Sequence, residues 1–308
     1  MKILITGGAG YIGTELVNHL SDQINISKIV IYDNFSRGNF GLFLQNNKIS
    51  NKRISVIKGD ILNTRKLKKS LMDINIVIHL ASKASSKFEN EEHHPFDQIN
   101  NWGTAELVYL IEELGITKLI SFSSSNVYGL TNVKKEFSED NPLNPASSFA
   151  FSKMRAEEHV KRLFINKNIN SYIFRIGNVF GFSQSMRLDE VVNKFIFEAK
   201  YFGKIYINGN GEQIHSFIDI KDVVKIIDYF IKNDIENNVY NIFAENVSIS
   251  TIGEIVKEIF PNIDIQYLNQ HLTHGSTALK MNPIIQNIIK PEKNYIKNQI
   301  SNIDKFSL

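Results

Sequence analysis

Three glycines and one carboxylate mark the first place where this sequence could do chemistry. Gly7, Gly10 and Gly13 recur at three-residue intervals directly after the apolar run Lys2–Thr6, and Asp33 closes the next such run. Glycine at these positions allows a tight turn, close approach of backbone to a pyrophosphate, and packing of the following helix. The helix opened by Tyr11 and Ile12 then presents free N–H groups and the positive end of its dipole to phosphates. A carboxylate at Asp33, with Asn34 beside it, would accept hydrogen bonds from an adenine ribose and repel a 2′-phosphate. The pattern therefore predicts NAD in preference to NADP. Arg37 reads as a solvated loop position.

The elements that must position these groups follow from the periodicity. Lys2–Thr6, Lys28–Tyr32, Ile54–Lys58, Ile74–Leu80 and Lys118–Ser123 are short apolar or β-branched runs, as strands buried on both faces require. Helical spacing fills Tyr11–Leu20, Thr64–Met72 and Phe96–Leu114 between them, with Pro95 in a first turn, where a missing N–H does no harm. Alternation of this kind predicts an α/β fold, a doubly wound parallel Rossmann sheet. Further on, a helix at Ser148–Leu163, a strand at Ser171–Ile176, a helix at Leu188–Lys200, a strand at Lys204–Ile207, a helix at Lys221–Ile231 and a strand at Val239–Phe243 are expected. Thr251-Ile252-Gly253-Glu254 has capping-box spacing ahead of another helix, and the tail from Asn282 carries no clear pattern. The expected organisation is an NAD-binding domain over 1–175, with 204–245 returning to it. A smaller, interleaved C-terminal substrate domain takes 176–203 and 246–308.

Composition excludes several classes. With 43% hydrophobic and 11% aromatic residues in 308, disorder is not the dominant state. A net charge of +3, with only short runs such as Lys68-Lys69 and Lys134-Lys135, gives no basic face for nucleic acid. No cysteine is present, so disulfides and thiolate metal sites are excluded, and no histidine spacing suggests a metal. Neither a membrane-length apolar stretch nor a leader-like N-terminus is legible, and a cytoplasmic protein is expected.

With Gly-x-x-Gly-x-x-Gly spacing, the sequence resembles the extended short-chain dehydrogenase/reductases, the nucleotide-sugar epimerase and dehydratase family, to about residue 245. Gly59-Asp60-Ile61 is similar to the family's adenine-contacting segment, and His79-Leu80-Ala81-Ser82 to its turn beside the nicotinamide ribose. Asn100-Asn101-Trp102-Gly103-Thr104 is similar to its Asn-x-x-Gly-Thr helix segment. Phe122-Ser123-Ser124-Ser125-Asn126-Val127-Tyr128-Gly129 resembles the catalytic segment after the fifth strand, which puts the catalytic hydroxyl at Ser124. The family's Tyr-x-x-x-Lys signature reads Phe149-Ala150-Phe151-Ser152-Lys153 here. The lysine is present and the tyrosine is phenylalanine.

That departure bears on mechanism. Oxidising a sugar hydroxyl needs a proton acceptor, and a phenol whose pKa is lowered from about 10 by nearby positive charge can serve. Lys153 would supply that charge and bind the nicotinamide ribose; Phe149 carries no proton. General acid–base help is worth roughly 10²–10⁴ in rate, so a slow or inactive chain is expected. An engineered tyrosine-to-phenylalanine exchange is the leading explanation, ahead of a natural enzyme with another base and a non-catalytic relative. Tyr128 reads as a packed turn residue.

On the substrate side, Arg175-Ile176-Gly177-Asn178-Val179-Phe180-Gly181 resembles the loop leading from cofactor to sugar, and Asn178 is expected to meet a substrate diphosphate. Arg187 is a further candidate. His215 stands where the family has a diphosphate-clamping arginine, and no arginine follows Arg187. Ser124-Ser125-Asn126 replaces the Thr-Asp-Glu of the family's 4,6-dehydratases, which disfavours dehydration. The resemblance thus implies NAD-dependent chemistry at C4 of a nucleotide-diphosphate sugar, with 4-epimerisation leading. A net 4-keto reductase or 4-dehydrogenase is the alternative, and an NAD-sensing binding protein is the reading from another class. Pairing of family members through the helices near 96–114 and 148–163 implies a homodimer.

Overall fold

The computed structural model describes residues 1–44, 52–84, 93–132, 135–166 and 168–301. Lys134 and residues 302–308 of the expected substrate domain lie outside the described residues. The chain begins β1 (Lys2–Thr6), α1 (Tyr11–Ser21), β2 (Lys28–Asp33), β3 (Ile54–Lys58), α2 (Thr64–Leu71) and β4 (Ile76–His79). A helical run follows: α3 (His93–Phe96), a π-helical stretch Asp97–Trp102, and α4 (Gly103–Leu114). Then come β5 (Lys118–Ser124), β6 (Glu136–Phe137), α5 (Ser148–Lys161), β7 (Asn170–Ile176), β8 (Asn178–Phe180), α6 (Val191–Phe202), β9 (Lys204–Asn208) and β10 (Ile214–Asp219). The chain continues with α7 (Ile220–Lys232), β11 (Asn238–Ile242), β12 (Glu245–Ser248), α8 (Ile249–Ile259), β13 (Asp264–Leu268), β14 (Ala278–Leu279), α9 (Pro283–Ile289) and α10 (Tyr295–Ser301).

Seven strands form one parallel sheet in the order β11-β7-β5-β4-β1-β2-β3. Its central strands are apolar on both sides because helices cover both faces: Ile3, Leu4 and Ile5 of β1 are wholly buried. Strand order reverses between β1 and β4, which opens a crevice beyond their carboxyl ends. Smaller sheets complete the molecule: β12-β10-β8, β13-β9 and β14-β6. Of residues 204–245, α7 packs against α1 and β5 and β11 joins the large sheet, whereas β9 and β10 lie in the smaller ones.

Two helix starts differ from the sequence expectation. Helix α8 starts at Ile249, capped by Ser248, whose Oγ accepts from Thr251 N at 3.1 Å. Thr251 thus sits inside the first turn and is not the cap; the chain already leaves β12 at Ser248, and the nearer hydroxyl takes the free N–H groups. The tail without a legible pattern forms α9, capped by Asn282 with Pro283 in its first turn, and α10, which buries Ile296 and Ile300.

A buried ion pair fastens the sheet to its crossover helix. Arg175 on β7 and Glu157 on α5 are each 2% exposed. The guanidinium grips the carboxylate twice, Nε to Oε1 at 2.9 Å and Nη2 to Oε2 at 2.7 Å, and donates to the Tyr128 hydroxyl at 2.9 Å. Ser123 on β5 donates to Glu157 Oε1 at 2.6 Å. Removing one partner would strand the other in the interior. Arg175→Met should lower unfolding stability by about 3–5 kcal/mol; urea denaturation measures this, and an unchanged midpoint would contradict the assignment.

Candidate active site

At the reversal point the glycine turn is built to tolerances that only glycine meets. Gly7 has φ +69°, and a Cβ there would lie 2.6 Å from the backbone nitrogen of Ala81, just beyond β4. A Cβ on Gly13 would lie 2.6 Å from the Cα of Gly8, so α1 could not approach the turn. On Gly10 it would meet only the Gly7 carbonyl, at 3.1 Å, so this backbone faces open space. Gly10 caps α1 without a side-chain acceptor, and the first N–H groups of that helix are left for whatever enters. Asp33, at the end of β2, accepts from the N–H groups of Ala9 at 3.0 Å and Phe35 at 2.8 Å, which fixes its carboxylate beside the turn. A cradle for a diphosphate and a carboxylate for ribose hydroxyls are what NAD requires, and these residues fit it.

The turn lines one side of a cleft of about 790 Å³, a size suited to a small-molecule site. Of the residues expected to serve the site, all but Asp60, Asn100 and His215 line it. Asp60 is held between the loop after β2 and its own loop, its carboxylate accepting from Asn34 Nδ2 at 3.0 Å and Leu62 N at 2.9 Å. Asn100 is buried behind the wall. It accepts from Lys83 N at 2.8 Å, and its amide donates to the Lys83 carbonyl at 3.0 Å and to Ser152 Oγ at 2.9 Å. His215 lies on β10, paired with Val247 of β12 and bridged to Thr277.

Ser124, Phe149 and Lys153 come together on one stretch of wall. Ser124 ends β5, and its Oγ caps the next turn by accepting from Asn126 N at 3.2 Å. Phe149 and Lys153 lie one turn apart on α5, which starts at a Ser147 cap. Lys153 is buried and donates to the Phe122 carbonyl at 2.8 Å. Burial pushes its ammonium down to about 8, with Glu157, one turn further on, opposing that shift. The Phe149 ring meets Phe96 edge-on at 6.4 Å, and Ser152 holds the Phe149 carbonyl at 2.8 Å. His79 sits behind them, its two nitrogens bonded to Thr6 at 2.7 Å and Thr104 at 2.9 Å. Burial pushes its pKa down to about 3, so it is a neutral strut.

A second network joins the turn to the far wall and was not legible in the sequence. The Tyr11 hydroxyl donates to the Gly181 carbonyl at 2.5 Å. Asn193 on α6 accepts from Gly181 N at 3.0 Å and donates to Tyr11 Oη at 3.2 Å and to the Arg187 carbonyl at 3.0 Å. Asn193 shares no motif with the turn it supports. Arg187 lines the cleft, but Asp189 at 2.5 Å and Glu190 at 2.6 Å hold its guanidinium. Asn178 also lines the cleft, and its amide donates to the Ser216 carbonyl at 3.2 Å.

Residues 3–242 match the NAD dependent epimerase/dehydratase family. The dTDP-D-glucose 4,6-dehydratase of Homo sapiens is 30% identical over 262 residues, which covers 84% of this chain and 73% of the relative. The UDP-N-acetylglucosamine 4-epimerase of Methanobrevibacter ruminantium, in complex with UDP-N-acetylmuramic acid, superposes with a TM-score of 0.85 at 27% identity, over 99% of this chain and 97% of that one. A tyrosine-to-phenylalanine mutant of UDP-glucuronic acid 4-epimerase from Bacillus cereus, with UDP-4-deoxy-4-fluoro-glucuronic acid and NAD, gives 0.85 at 25% identity, over 98% and 97%.

The lowered pKa of Lys153 has a thermodynamic consequence. Between about pH 8 and 10.5 the unfolded chain keeps a proton at this lysine that the folded chain has lost, so stability from this group rises with pH across that window. Relative to Lys153→Met, the unsubstituted chain should gain on the order of 3 kcal/mol from the lower to the upper end of it. Urea titrations of both proteins at several pH values measure the difference. Parallel pH profiles would refute the placement of this ammonium in a desolvated site.

Proposed function

The chain belongs to the NAD dependent epimerase/dehydratase family, and on that premise we propose that it binds NAD at the opening glycine turn and acts at C4 of a nucleotide-diphosphate hexose as a 4-epimerase slowed by Phe149. Bound NAD supplies a reversible hydride acceptor. The chain's own residues do the rest. The N–H groups at the start of α1 hold the diphosphate, and Asp33 holds the adenine ribose. Lys153 holds the nicotinamide ribose, and the Ser124 hydroxyl bonds the sugar oxygen. Asn178 and Arg187 face the substrate from the far wall.

The observation that carries this reading is the convergence of the glycine turn, Asp33, Ser124, Lys153 and position 149 on a single cleft. Dehydration finds no support in the residues after Ser124. Ser125 and Asn126 offer no carboxyl group to give or take a proton, and Ser125 is buried. Phe149→Tyr should therefore raise turnover by roughly 10²–10⁴, measured by chromatography of UDP- and dTDP-hexoses incubated with NAD. An epimeric product without net NADH supports a 4-epimerase, and stoichiometric NADH indicates a dehydrogenase. Absence of any product with Phe149→Tyr would remove the enzyme reading and leave NAD binding alone.

The chain also pairs, on this reading, through α4 and α5. Trp102 (60% exposed), which ends the π-helical stretch leading into α4, Tyr109 on α4 (62%) and Phe151 on α5 (43%) are large exposed side chains of this region, and a second copy would cover them. Tyr109→Arg should convert a sedimenting dimer to monomer at micromolar concentration. A monomer before the substitution would refute the pairing.

A further inference from the structure

Two asparagine–glycine pairs stand in tandem between β9 and β10, Asn208-Gly209 and Asn210-Gly211. An asparagine before glycine carries its own electrophile and nucleophile. The peptide nitrogen of the glycine attacks the side-chain Cγ, the Cγ–Nδ2 bond breaks, and ammonia leaves with the proton given up by the attacking nitrogen. A five-membered imide results. Water then adds to either imide carbonyl and opens the ring to aspartate or to isoaspartate. Glycine lets the ring close because no side chain crowds its nitrogen. In a folded chain three conditions favour the step. The side chain must fold back over the next peptide, that N–H must be uncommitted, and a donor must meet Oδ1, where negative charge gathers during the attack.

Asn210 meets all three. Its Oδ1 accepts from Glu212 N at 3.1 Å, an Asx turn that keeps the amide folded over the intervening Gly211 nitrogen and supplies the donor. Its Nδ2 donates to Glu212 Oε2 at 2.8 Å, so a carboxylate stands beside the departing nitrogen and can carry the proton to it. Gly211 holds φ at +75°, and its N–H has no acceptor among the described residues. Asn208 is held differently. It ends β9, in register with Leu268 of β13, and the N–H of Gly209 is committed to the Leu268 carbonyl at 2.8 Å. Extended backbone also directs the side chain out of the pleat rather than over the next peptide.

We propose that Asn210 is a site of spontaneous covalent modification, converting to aspartate and isoaspartate in the folded chain while Asn208 is spared. Either product adds negative charge beside Glu212. Isoaspartate also inserts a methylene between two anchors of the loop, Asn210 N on the Leu272 carbonyl at 3.1 Å and the Gly211 carbonyl on Ser250 N at 2.8 Å. These tie the loop to the segment after β13 and to α8. The full chain is incubated at mildly alkaline pH, folded and in urea, and tandem mass spectrometry follows the peptide holding both asparagines, each event adding about 1 Da. In the folded chain Asn210 should react roughly 10-fold or more faster than Asn208. In urea, where the two pairs differ only in their neighbours, the rates should converge. Asn210→Ser keeps an acceptor for the turn and should leave the folded peptide unmodified over the same period. Equal rates at the two asparagines of the folded chain, faster reaction at Asn208, or a silent Asn210 while the unfolded chain reacts would each overturn the proposal.

Discussion

A guanidinium and a carboxylate, both withdrawn from water, set the arrangement on which the site depends. Glu157 is gripped by Arg175 from β7 and accepts from Ser123 on β5 while belonging to α5. One carboxylate therefore joins the strand that delivers Ser124 to the helix that delivers Phe149 and Lys153. A purely apolar contact would hold α5 against the sheet with little preference for its sliding by a fraction of a turn. The bidentate pair has one acceptable geometry, and its cost in desolvation is offset only there. The same carboxylate opposes the loss of the Lys153 proton from one turn away, so it also bears on the charge of the cleft.

The two walls of the cleft come from stretches 170 residues apart, and buried polar groups join them alongside the apolar core. Tyr11 belongs to the glycine turn, yet its hydroxyl ends on Gly181, and Asn193 closes that contact from α6. Thr14 adds a bond from the same helix to Ser185 at 2.9 Å. Each of these groups is buried, so each must be satisfied or the lobes part. The glycine turn and the loop bearing Arg187 are thereby joined through buried hydrogen bonds.

Much of this was legible because it depends on local spacing. The strands of the large sheet declare themselves as apolar runs, the turn by its glycines, and the pair at 149 and 153 by one helical turn. What was not legible depends on partners far apart in sequence. Asn193 meets a residue of the first turn, and Asn100 reads by motif as a cofactor contact but is the buried brace behind Lys83 and Ser152. His215 shows the limit of spacing. Its motif position suggests the cleft, yet it is not among the residues lining it, and β10 pairs it with Val247 of β12 and a bridge joins it to Thr277. The capping serine of α8 was missed for a related reason, since two hydroxyl residues three apart compete and the exit from β12 decides between them.

The absence of an oxygen at residue 149 gains its force from the commitments of the groups around it. Tyr128, the nearest phenol by sequence, donates to Asn241 at 2.8 Å and accepts from Arg175, and burial pushes it up to about 12. His79 has both nitrogens bonded to threonines and stays neutral at any ordinary pH. Lys153 is bonded to a backbone carbonyl in the floor. Taking over the proton transfer would require each of these to break a bond that also supports the fold, at a cost that falls on stability as well as on rate. On the proposed reading the acid–base task falls to position 149, where an aromatic ring lines the cleft and lacks the hydroxyl. A chain with this wall would, on the same reading, still bind and orient a sugar while the step that consumes it is withheld.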